Sequence, residues 1–262
     1  MDFNIDELRS YFFRRTIGRR IEFHEEIEST NTEALHLAQQ DAPEGTVVIA
    51  EAQSSGRGRL DRIWESPPAM NLYLSVILRP DITAVSASLI PLMVGVAVAE
   101  VISQYCKGRV RLKWPNDILI DGKKICGILT EMRTRADRVA FIIAGIGVNL
   151  NMQKLHFPRE LRETATSLRI ETECEIDRLD FSVRLIETLE HWYRIFLNGG
   201  QDHIRQSWLK YADIIGRRIE VVFKSDMQRG TVVGLDENGA LLIQGETGVQ
   251  QVLAGDVYIE RL

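Results

Sequence analysis

The chain has 262 residues, of which 45% are hydrophobic and 26% charged, and its formal net charge is −5 at pH 7. This composition is ordinary for a soluble globular protein with one large domain, or with a main domain and a small appendage. The mild acidity argues against a protein that binds nucleic acid or a membrane surface through its overall charge, since such proteins usually carry a basic excess.

The cysteines and the N-terminal stretch predict a cytoplasmic protein. The three cysteines have neither metal-ligand spacing nor an obvious pairing, which favours buried thiols in a reducing compartment. The opening MDFNIDELRSYFFRRT carries acidic residues early and lacks the apolar core of a secretory signal. The most apolar stretch, ASLIPLMVGVAVAEVI, is interrupted by Pro91 and Glu100 and is shorter than the ~20 residues of a membrane span, so we expect a buried helix there.

The first hundred or so residues predict alternating strands and helices. Residues 4–13 fit a short amphipathic helix within an N-terminal segment 1–18, and RRIEFHEEI alternates as a strand does. A helix is predicted at STNTEALHLAQQ, where Thr30 and Glu33 have the spacing of a capping box. Two buried strands, TVVIAEAQ and NLYLSVIL, precede a long apolar helix over residues 84–104.

The middle of the chain predicts strands joined by hairpins. RVRLKW alternates polar and apolar residues, and DILIDGKKICGIL places two apolar runs around the turn Asp121-Gly122. RVAFIIAGIGVNL adds a further strand. Such hairpins imply a mixed or antiparallel sheet with helices packed outside it, an α+β class, and count against a doubly wound nucleotide fold.

The C-terminal part changes character. Residues 177–199 and 201–211 predict two helices, after which short strands follow one another between turns. We therefore expect a main domain over residues 1–212 and a small β-barrel of about five strands over residues 213–262.

The segment SSGRGRLDRIW, Ser54 to Trp64, concentrates positive charge on a flexible loop. Glycines let the backbone approach a ligand, and guanidinium groups suit phosphate or carboxylate as bidentate forks. Read alone, the loop could equally be a solvated surface loop or an RGG-like contact to nucleic acid. Trp64 favours a ligand site, since an aromatic ring beside arginines can stack a base while the cations hold its phosphates.

Other short motifs could be sites or ordinary turns. KWPND places a cation, an amide and a carboxylate at one end of the sheet, although a turn at Pro115 would explain it equally well. In GKKICGIL, strand alternation gives Lys124 the parity of Cys126 and Ile128, so Lys124 is the ligand-facing lysine if that face lines the pocket. GIGVN could leave room for a flat ligand, and STN could supply hydroxyls and an amide.

Taken together, the motifs EIESTNTEA, EAQSSGRGRLDRIW, NLYLSV, RLKWPNDILIDGKKICGIL and GIGVNLN resemble the catalytic domain of the biotin protein ligases. The resemblance covers roughly residues 22–152, and the C-terminal strands resemble that family's small Src-homology-3-like domain. It implies a class II synthetase-like biotin/lipoate ligase fold. The region before residue 20 is too short for the DNA-binding domain of family members that double as repressors, so we expect a short form that does not bind DNA.

The resemblance implies an activity and its residues. Family members activate biotin with ATP as biotinyl-5′-adenylate and transfer it to a lysine of a biotin carboxyl carrier domain, with Mg²⁺ accompanying the nucleotide and no metal ligands assigned in the protein. The implied catalytic residues are Lys124, Arg59 and Asp117. Those implied to bind biotin are Ser29, Thr30, Asn31, Gln53, Gly56, Arg57, Gly58, Arg59, Lys124, Gly127, Gly145 and Gly147. Those implied to bind ATP are Arg57, Arg62, Trp64, Lys113, Asn116, Lys124 and Asn149.

Several points stay open at the level of sequence. Asp117 is a candidate to accept the proton of the incoming lysine, although a turn-capping aspartate is an equal reading. The family commonly has a glycine where this chain has Leu60-Asp61, which leaves the loop's mobility open. A lipoate or octanoate ligase, a non-catalytic binding module and a nucleic-acid binder are the rival functions. A homodimer, the identity of the acceptor carboxylase and the task of the barrel are also left open.

Overall fold

The computed structural model describes residues 3–212, 214–223 and 226–259. Its main sheet has seven strands in the spatial order β1-β2-β3-β7-β6-β5-β4. Strands β1 and β2 run parallel, and every other neighbouring pair is antiparallel. The strands are β1 Ile21–Ile27, β2 Val47–Gln53, β3 Leu72–Leu78, β4 Val110–Lys113, β5 Asp117–Ile120, β6 Lys123–Arg135 and β7 Arg138–Val148. The mixed sheet confirms the α+β class.

Six α-helices accompany the described strands. They are α1 Ile5–Phe12, α2 Thr30–Gln39, α3 Ile90–Ser103, α4 Leu168–Thr172, α5 Arg178–Leu197 and α6 Gln201–Tyr211. The core lies between one face of the sheet and helices α3 and α5, whose buried apolar side chains belong to one continuous cluster. The segment Ser86–Ser103 has the length and apolarity of a membrane span, but 72% of it is buried inside the fold, which confirms the predicted core helix.

The C-terminal strands form a separate five-stranded antiparallel sheet in the order β11-β10-β9-β8-β12. They are β8 Arg218–Phe223, β9 Asp226–Leu235, β10 Leu241–Gly245, β11 Gly248–Val252 and β12 Asp256–Ile259. This agrees with the predicted number of strands. The exact boundary between the two parts stays a prediction, since residue 213 lies outside the described residues.

One local prediction, the capping box at the start of α2, is wrong. The N-cap residue is Ser29, one position earlier, and its side chain makes no capping hydrogen bond. The Thr30 hydroxyl instead donates to Gln53 Oε1 at 3.2 Å, and the Thr30 backbone N–H donates to the same oxygen at 2.8 Å. Thr30 therefore hydrogen-bonds to Gln53 on strand β2 instead of capping the helix.

The predicted parity, which placed Lys124 on the same face of β6 as Cys126 and Ile128, is also wrong, although Lys124 does line the cavity. Pairing between β5 and β6 shifts by one residue at Ile125, a bulge. The bulge reverses the parity, because Cys126 and Ile128 are buried in the core while Lys124 shares the other face with Gly127. The bulge therefore turns the Lys124 side chain toward the cavity.

Candidate active site

A cavity of about 470 Å³ lies on the face of the main sheet opposite the core helices, under the arginine-rich loop. Seventeen of the eighteen residues predicted from the resemblance line it, and they come from six separate segments of the chain. They are Ser29, Thr30, Asn31, Gln53, Arg57, Gly58, Arg59, Arg62, Trp64, Lys113, Asn116, Asp117, Lys124, Gly127, Gly145, Gly147 and Asn149. The fold thus brings together residues that are up to 120 positions apart in sequence.

Gly56 is the predicted residue that does not line the cavity. A Cβ there would lie 2.3 Å from the Trp64 carbonyl oxygen and 2.6 Å from Ser66 Oγ. The Gly56 carbonyl also accepts a 2.9 Å hydrogen bond from the Trp64 backbone N–H. Gly56 therefore closes the base of the loop, and its role is to let the two ends of the loop approach.

Lys124 is held by contacts with three parts of the chain. Its Nζ lies 2.7 Å from Asp117 Oδ1 on β5 and 5.5 Å from the centre of the Trp64 ring. Its backbone pairs with the segment around Ala165 through hydrogen bonds to Thr164 and from Thr166. Both side chains of the ion pair are partly exposed to the cavity, so the ammonium can meet a bound anion.

Arg59 lies beside the KWPND turn. Its Nη1 donates a 3.0 Å hydrogen bond to Asn116 Oδ1, and Asn116 Nδ2 in turn donates to the Ile128 carbonyl at 2.7 Å. Burial lowers the pKa of the Arg59 guanidinium, while the nearby carboxylates of Asp256 and Asp117 act in the opposite direction. A partly desolvated cation of this kind gains interaction energy when an anion enters.

Trp64 covers two of the cavity glycines. A Cβ on Gly147 would lie 2.4 Å from the indole Nε1, and a Cβ on Gly127 would lie 3.0 Å from the ring. The indole Nε1 is buried with no hydrogen-bond partner among the described residues. The GIGVN strand therefore carries glycine where the Trp64 ring lies against the sheet, while the flat ligand that the sequence suggested there stays a prediction.

The opposite end of the cavity is a network of small polar side chains. Ser75 Oγ lies 2.7 Å from Asn31 Oδ1 and 2.8 Å from Thr30 Oγ1. Gln53 accepts from Thr30 and donates to Ser66 Oγ at 2.8 Å. A Cβ on Gly145 would lie 1.9 Å from Asn31 Oδ1, so this glycine makes room for the amide. We call this group the polar end of the cavity, defined by Thr30, Asn31, Gln53 and Ser75.

Two acidic residues that sequence reasoning missed contact the arginines of the loop. Glu131 on β6 binds both terminal nitrogens of Arg57 at 3.1 and 3.2 Å. Asp256 on β12 binds Arg62 through a short hydrogen bond between its Oδ2 and Nη2. Glu131 shares the strand parity of Gly127 and Leu129, which was a usable signal. Asp256 lies in the other sheet, and no local pattern pointed to it.

The C-terminal sheet packs against the cavity mouth. Asp256 lines the cavity, and Lys113 Nζ lies 5.6 Å from the centre of the Tyr258 ring. The Trp114 indole donates to the Gly239 carbonyl at 3.2 Å. The C-terminal sheet therefore completes the wall beside Arg62 and Lys113, which is where the sequence placed the nucleotide.

The arginine loop has an unusual backbone at the two residues that depart from the family pattern. Leu60 and Asp61 have φ of 54° and 58°, in the left-handed region that favours glycine. The family's preference for glycine at this point is thus matched by the backbone even though this chain lacks the glycine. Among the described residues, no group of three or more His, Cys, Asp or Glu side chains is arranged to hold a metal ion.

Comparison with known proteins gives consistent matches along the chain. Residues 23–149 match the model of the biotin/lipoate A/B protein ligase family, and residues 214–259 match the biotin protein ligase C-terminal domain. The bifunctional ligase/repressor BirA of Bacillus subtilis is 37% identical over 253 residues, which cover 97% of this chain and 78% of that protein. The biotin–[acetyl-CoA-carboxylase] ligase of Paracoccus denitrificans is 32% identical over 234 residues, covering 88% and 97%.

A solved structure is similar over nearly the same extent. The biotin protein ligase from Aquifex aeolicus in complex with biotin and ATP superposes with a TM-score of 0.78 at 27% identity. The match covers 93% of this chain and 100% of that chain, and so includes both the main sheet and the C-terminal sheet.

Proposed function

Since this chain belongs to the biotin/lipoate A/B protein ligase family, we propose that its cavity joins biotin to ATP and then passes the biotinyl group to a lysine of a carrier domain. It is a biotin ligase rather than a lipoate ligase, because the Paracoccus relative is a biotin–[acetyl-CoA-carboxylase] ligase and the similar Aquifex structure is a biotin protein ligase. The acceptor we propose is a biotin carboxyl carrier domain of a biotin-dependent carboxylase.

The first step joins two anions. The carboxylate of biotin attacks the α-phosphorus of ATP, the bond from that phosphorus to the pyrophosphate oxygen breaks, and biotinyl-5′-adenylate and pyrophosphate result. The repulsion between carboxylate and phosphate has to be offset by cations that stabilise the charge developing in the transition state. We assign that role to Lys124 and Arg59, with Arg62 holding the polyphosphate. The observation that carries the proposal is the position of Lys124 Nζ, between Asp117 and Trp64.

The ends of the cavity then take the two substrates. The polar end holds the cyclic urea of biotin, and the region around Trp64, Asn116, Lys113 and Asp256 holds the nucleotide. Asn149, whose side chain donates to the Thr166 carbonyl at 3.0 Å, closes the nucleotide side. Mg²⁺ enters with ATP, held mainly by phosphate oxygens and water, as is usual for this ion.

The second step transfers the biotinyl group. The amine of the acceptor lysine attacks the acyl carbon, the bond from that carbon to the phosphate oxygen breaks, and an amide and AMP result. A free lysine has a pKa near 10.4, so removing its proton at pH 7 costs about 4.6 kcal/mol. Asp117 accepts that proton or steers the ammonium, while its contact with Lys124 keeps it at the cavity. Closure of the arginine loop excludes water from the adenylate.

The proposal is tested by incubating the protein with ATP, Mg²⁺ and a biotin carboxyl carrier domain, with either biotin or lipoate. Mass spectrometry should find one biotinylated lysine on the carrier and no lipoylated lysine. Lipoyl transfer at a comparable rate, or no transfer of either acid, would overturn it. A cytoplasmic location and the absence of DNA binding stay predictions, and a homodimer stays an open alternative.

A further inference from the structure

Glu131 is a carboxylate beside the polar end of the cavity that the proposed chemistry does not use. It lies on β6 four residues after Gly127, and its side chain is 22% exposed. Its Oε2 accepts a 2.9 Å hydrogen bond from Asn31 Nδ2 and a 3.2 Å hydrogen bond from Arg57. Its Oε1 accepts from the second terminal nitrogen of Arg57. One carboxylate thus links the start of the arginine loop to the polar end of the cavity.

The contact with Glu131 fixes the orientation of the Asn31 amide. Asn31 Nδ2 faces two groups that can only accept, the Glu131 carboxylate and the Leu129 carbonyl at 3.2 Å. Turning the amide over would place oxygen against oxygen at both contacts. Nitrogen must therefore face Glu131, and the amide oxygen must face the buried Ser75 and the cavity-lining Gly145.

The oxygens at this end exceed the hydrogens available to them. The Thr30 and Ser75 hydroxyls supply two protons, which are shared among Gln53 Oε1, Thr30 Oγ1, Ser75 Oγ and Asn31 Oδ1, and the Thr30 backbone N–H supplies a third hydrogen to Gln53 Oε1. Both Asn31 amide hydrogens are directed away, to Leu129 and Glu131. Each amide or hydroxyl oxygen has two lone pairs, so acceptor capacity remains unfilled however the two hydroxyl protons are arranged. A ligand placed here gains most if it brings N–H groups.

We propose that Glu131 is a positioning residue for substrate choice: by holding the Asn31 nitrogen, it presents the Asn31 oxygen to the cavity and selects a ligand with an N–H donor. This inference rests on the proposed function, since the cyclic urea of biotin carries two such N–H groups. Lipoate has a dithiolane ring with no hydrogen-bond donor, so the same arrangement rejects it. A site that loses a hydrogen-bond partner discriminates strongly against the ligand that lacks it.

The variant Glu131→Gln tests the proposal. A glutamine can offer its own NH₂ to Asn31, so that only the Leu129 carbonyl still opposes turning of the Asn31 amide and nitrogen can be presented to the cavity. Calorimetry should measure the affinity of wild type and variant for biotin, for biotin methylated on a ureido nitrogen, and for desthiobiotin. The wild type should prefer biotin over the methylated compound, and this preference should fall about tenfold in Glu131→Gln, the effect of one hydrogen bond to a neutral group. The preference for biotin over desthiobiotin, which keeps the urea, should not change.

Three further variants separate positioning from general damage. Glu131→Asp keeps a carboxylate and should restore part of the preference. Asn31→Ala removes the oxygen itself and should lose the preference to the same extent even if Glu131→Gln folds poorly. Glu220→Gln alters a carboxylate paired with Arg229 in the C-terminal sheet and should behave as wild type.

The outcomes distinguish this inference from the function on which it rests. A wild-type protein that does not bind biotin overturns the proposed function. A wild-type protein that binds biotin, with a Glu131→Gln variant that keeps the full preference against the methylated compound, overturns the role of Glu131 alone. An equal loss of affinity for all three compounds in Glu131→Gln also overturns it, because a merely structural role predicts that result.

Discussion

Lys124 and Asp117 form an ion pair between neighbouring strands, with Nζ and Oδ1 2.7 Å apart at the point where the bulge turns Lys124 into the cavity. The pair places a cation and a carboxylate that serve different steps within hydrogen-bonding distance of each other. The cation would offset the charges of biotin and the α-phosphate, and the carboxylate would receive the acceptor lysine. We therefore expect both steps to depend on this residue pair, and both rates to fall when the pair is disrupted.

Asp117→Asn should slow both steps, and transfer more than activation. The asparagine keeps the shape but loses the charge that holds Lys124, so adenylate formation should fall roughly tenfold, in line with about 1.5 kcal/mol, the lower end for a hydrogen bond to a charged group. Transfer should fall about 100-fold, the lower range of general base catalysis. Rapid-quench measurement of adenylate formation and of carrier labelling separates the two. If both steps slowed equally, Asp117 would only position Lys124 and would have no separate role in transfer.

Gly145→Ala should abolish tight biotin binding while leaving the protein folded. Its Cβ would lie 1.9 Å from Asn31 Oδ1, so the amide must leave the position that Glu131 and Ser75 define. We expect at least a 100-fold rise in the biotin dissociation constant by calorimetry, since several hydrogen bonds are disturbed together. Gly234→Ala is the matched control, because a Cβ there meets nothing within 4 Å. Wild-type affinity in Gly145→Ala would contradict the assignment of this end to biotin.

Asp256→Asn should weaken ATP binding and leave biotin binding unchanged. Asp256 brings the C-terminal sheet to the arginine loop through Arg62, whose side chain is largely exposed. Because exposed ion pairs contribute little, the KM for ATP should rise only about three- to fivefold. Pyrophosphate exchange at varied ATP and varied biotin measures both constants. If only the KM for biotin changed, the C-terminal sheet would act on biotin rather than on ATP, which would contradict this prediction.

The three thiols should react in an order set by burial. Burial raises the pKa of Cys126 and of Cys106 above the ordinary thiol value, which lowers their thiolate fraction at neutral pH. Cys174 is exposed. Iodoacetamide at pH 7.5 should therefore label Cys174 alone in the native protein and all three cysteines after denaturation. Native labelling of Cys126 would show that the strand carrying Lys124 opens readily, since Cys126 lies two residues from it.

The sequence predicted well those features that depend on local pattern. The Asp121-Gly122 hairpin formed where it was expected, and both residues have positive φ, as the favoured two-residue turn requires. Helices α5 and α6 fall within the predicted ranges on either side of Gly199-Gly200. Periodicity and turn chemistry act over a few residues, so a single sequence carries them.

Features that depend on contacts between distant segments escaped prediction. The bulge at Ile125 lies where β6 pairs with β5 and where Lys124 pairs with Ala165, and alternation along β6 encodes neither contact. The capping box failed because Thr30 is committed to Gln53, 23 residues away. Asp256 was missed for the same reason, because it contacts an arginine that only the folded chain brings near, whereas the strand parity of Glu131 with Gly127 could have indicated that residue.

The central claim is that the ammonium of Lys124 makes adenylate formation between two anions feasible, and one comparison of neighbouring lysines tests it most directly. Lys124→Ala and Lys123→Ala each remove one positive charge from the same strand, but Lys124 alone of the two lines the cavity. Formation of biotinyl-5′-adenylate from biotin and ATP should be followed in single turnover, with no carrier present. The account predicts a loss of at least 100-fold for Lys124→Ala, by analogy with the removal of other transition-state charge stabilisers, and a rate within twofold of wild type for Lys123→Ala. An undiminished rate in a folded Lys124→Ala protein would contradict it.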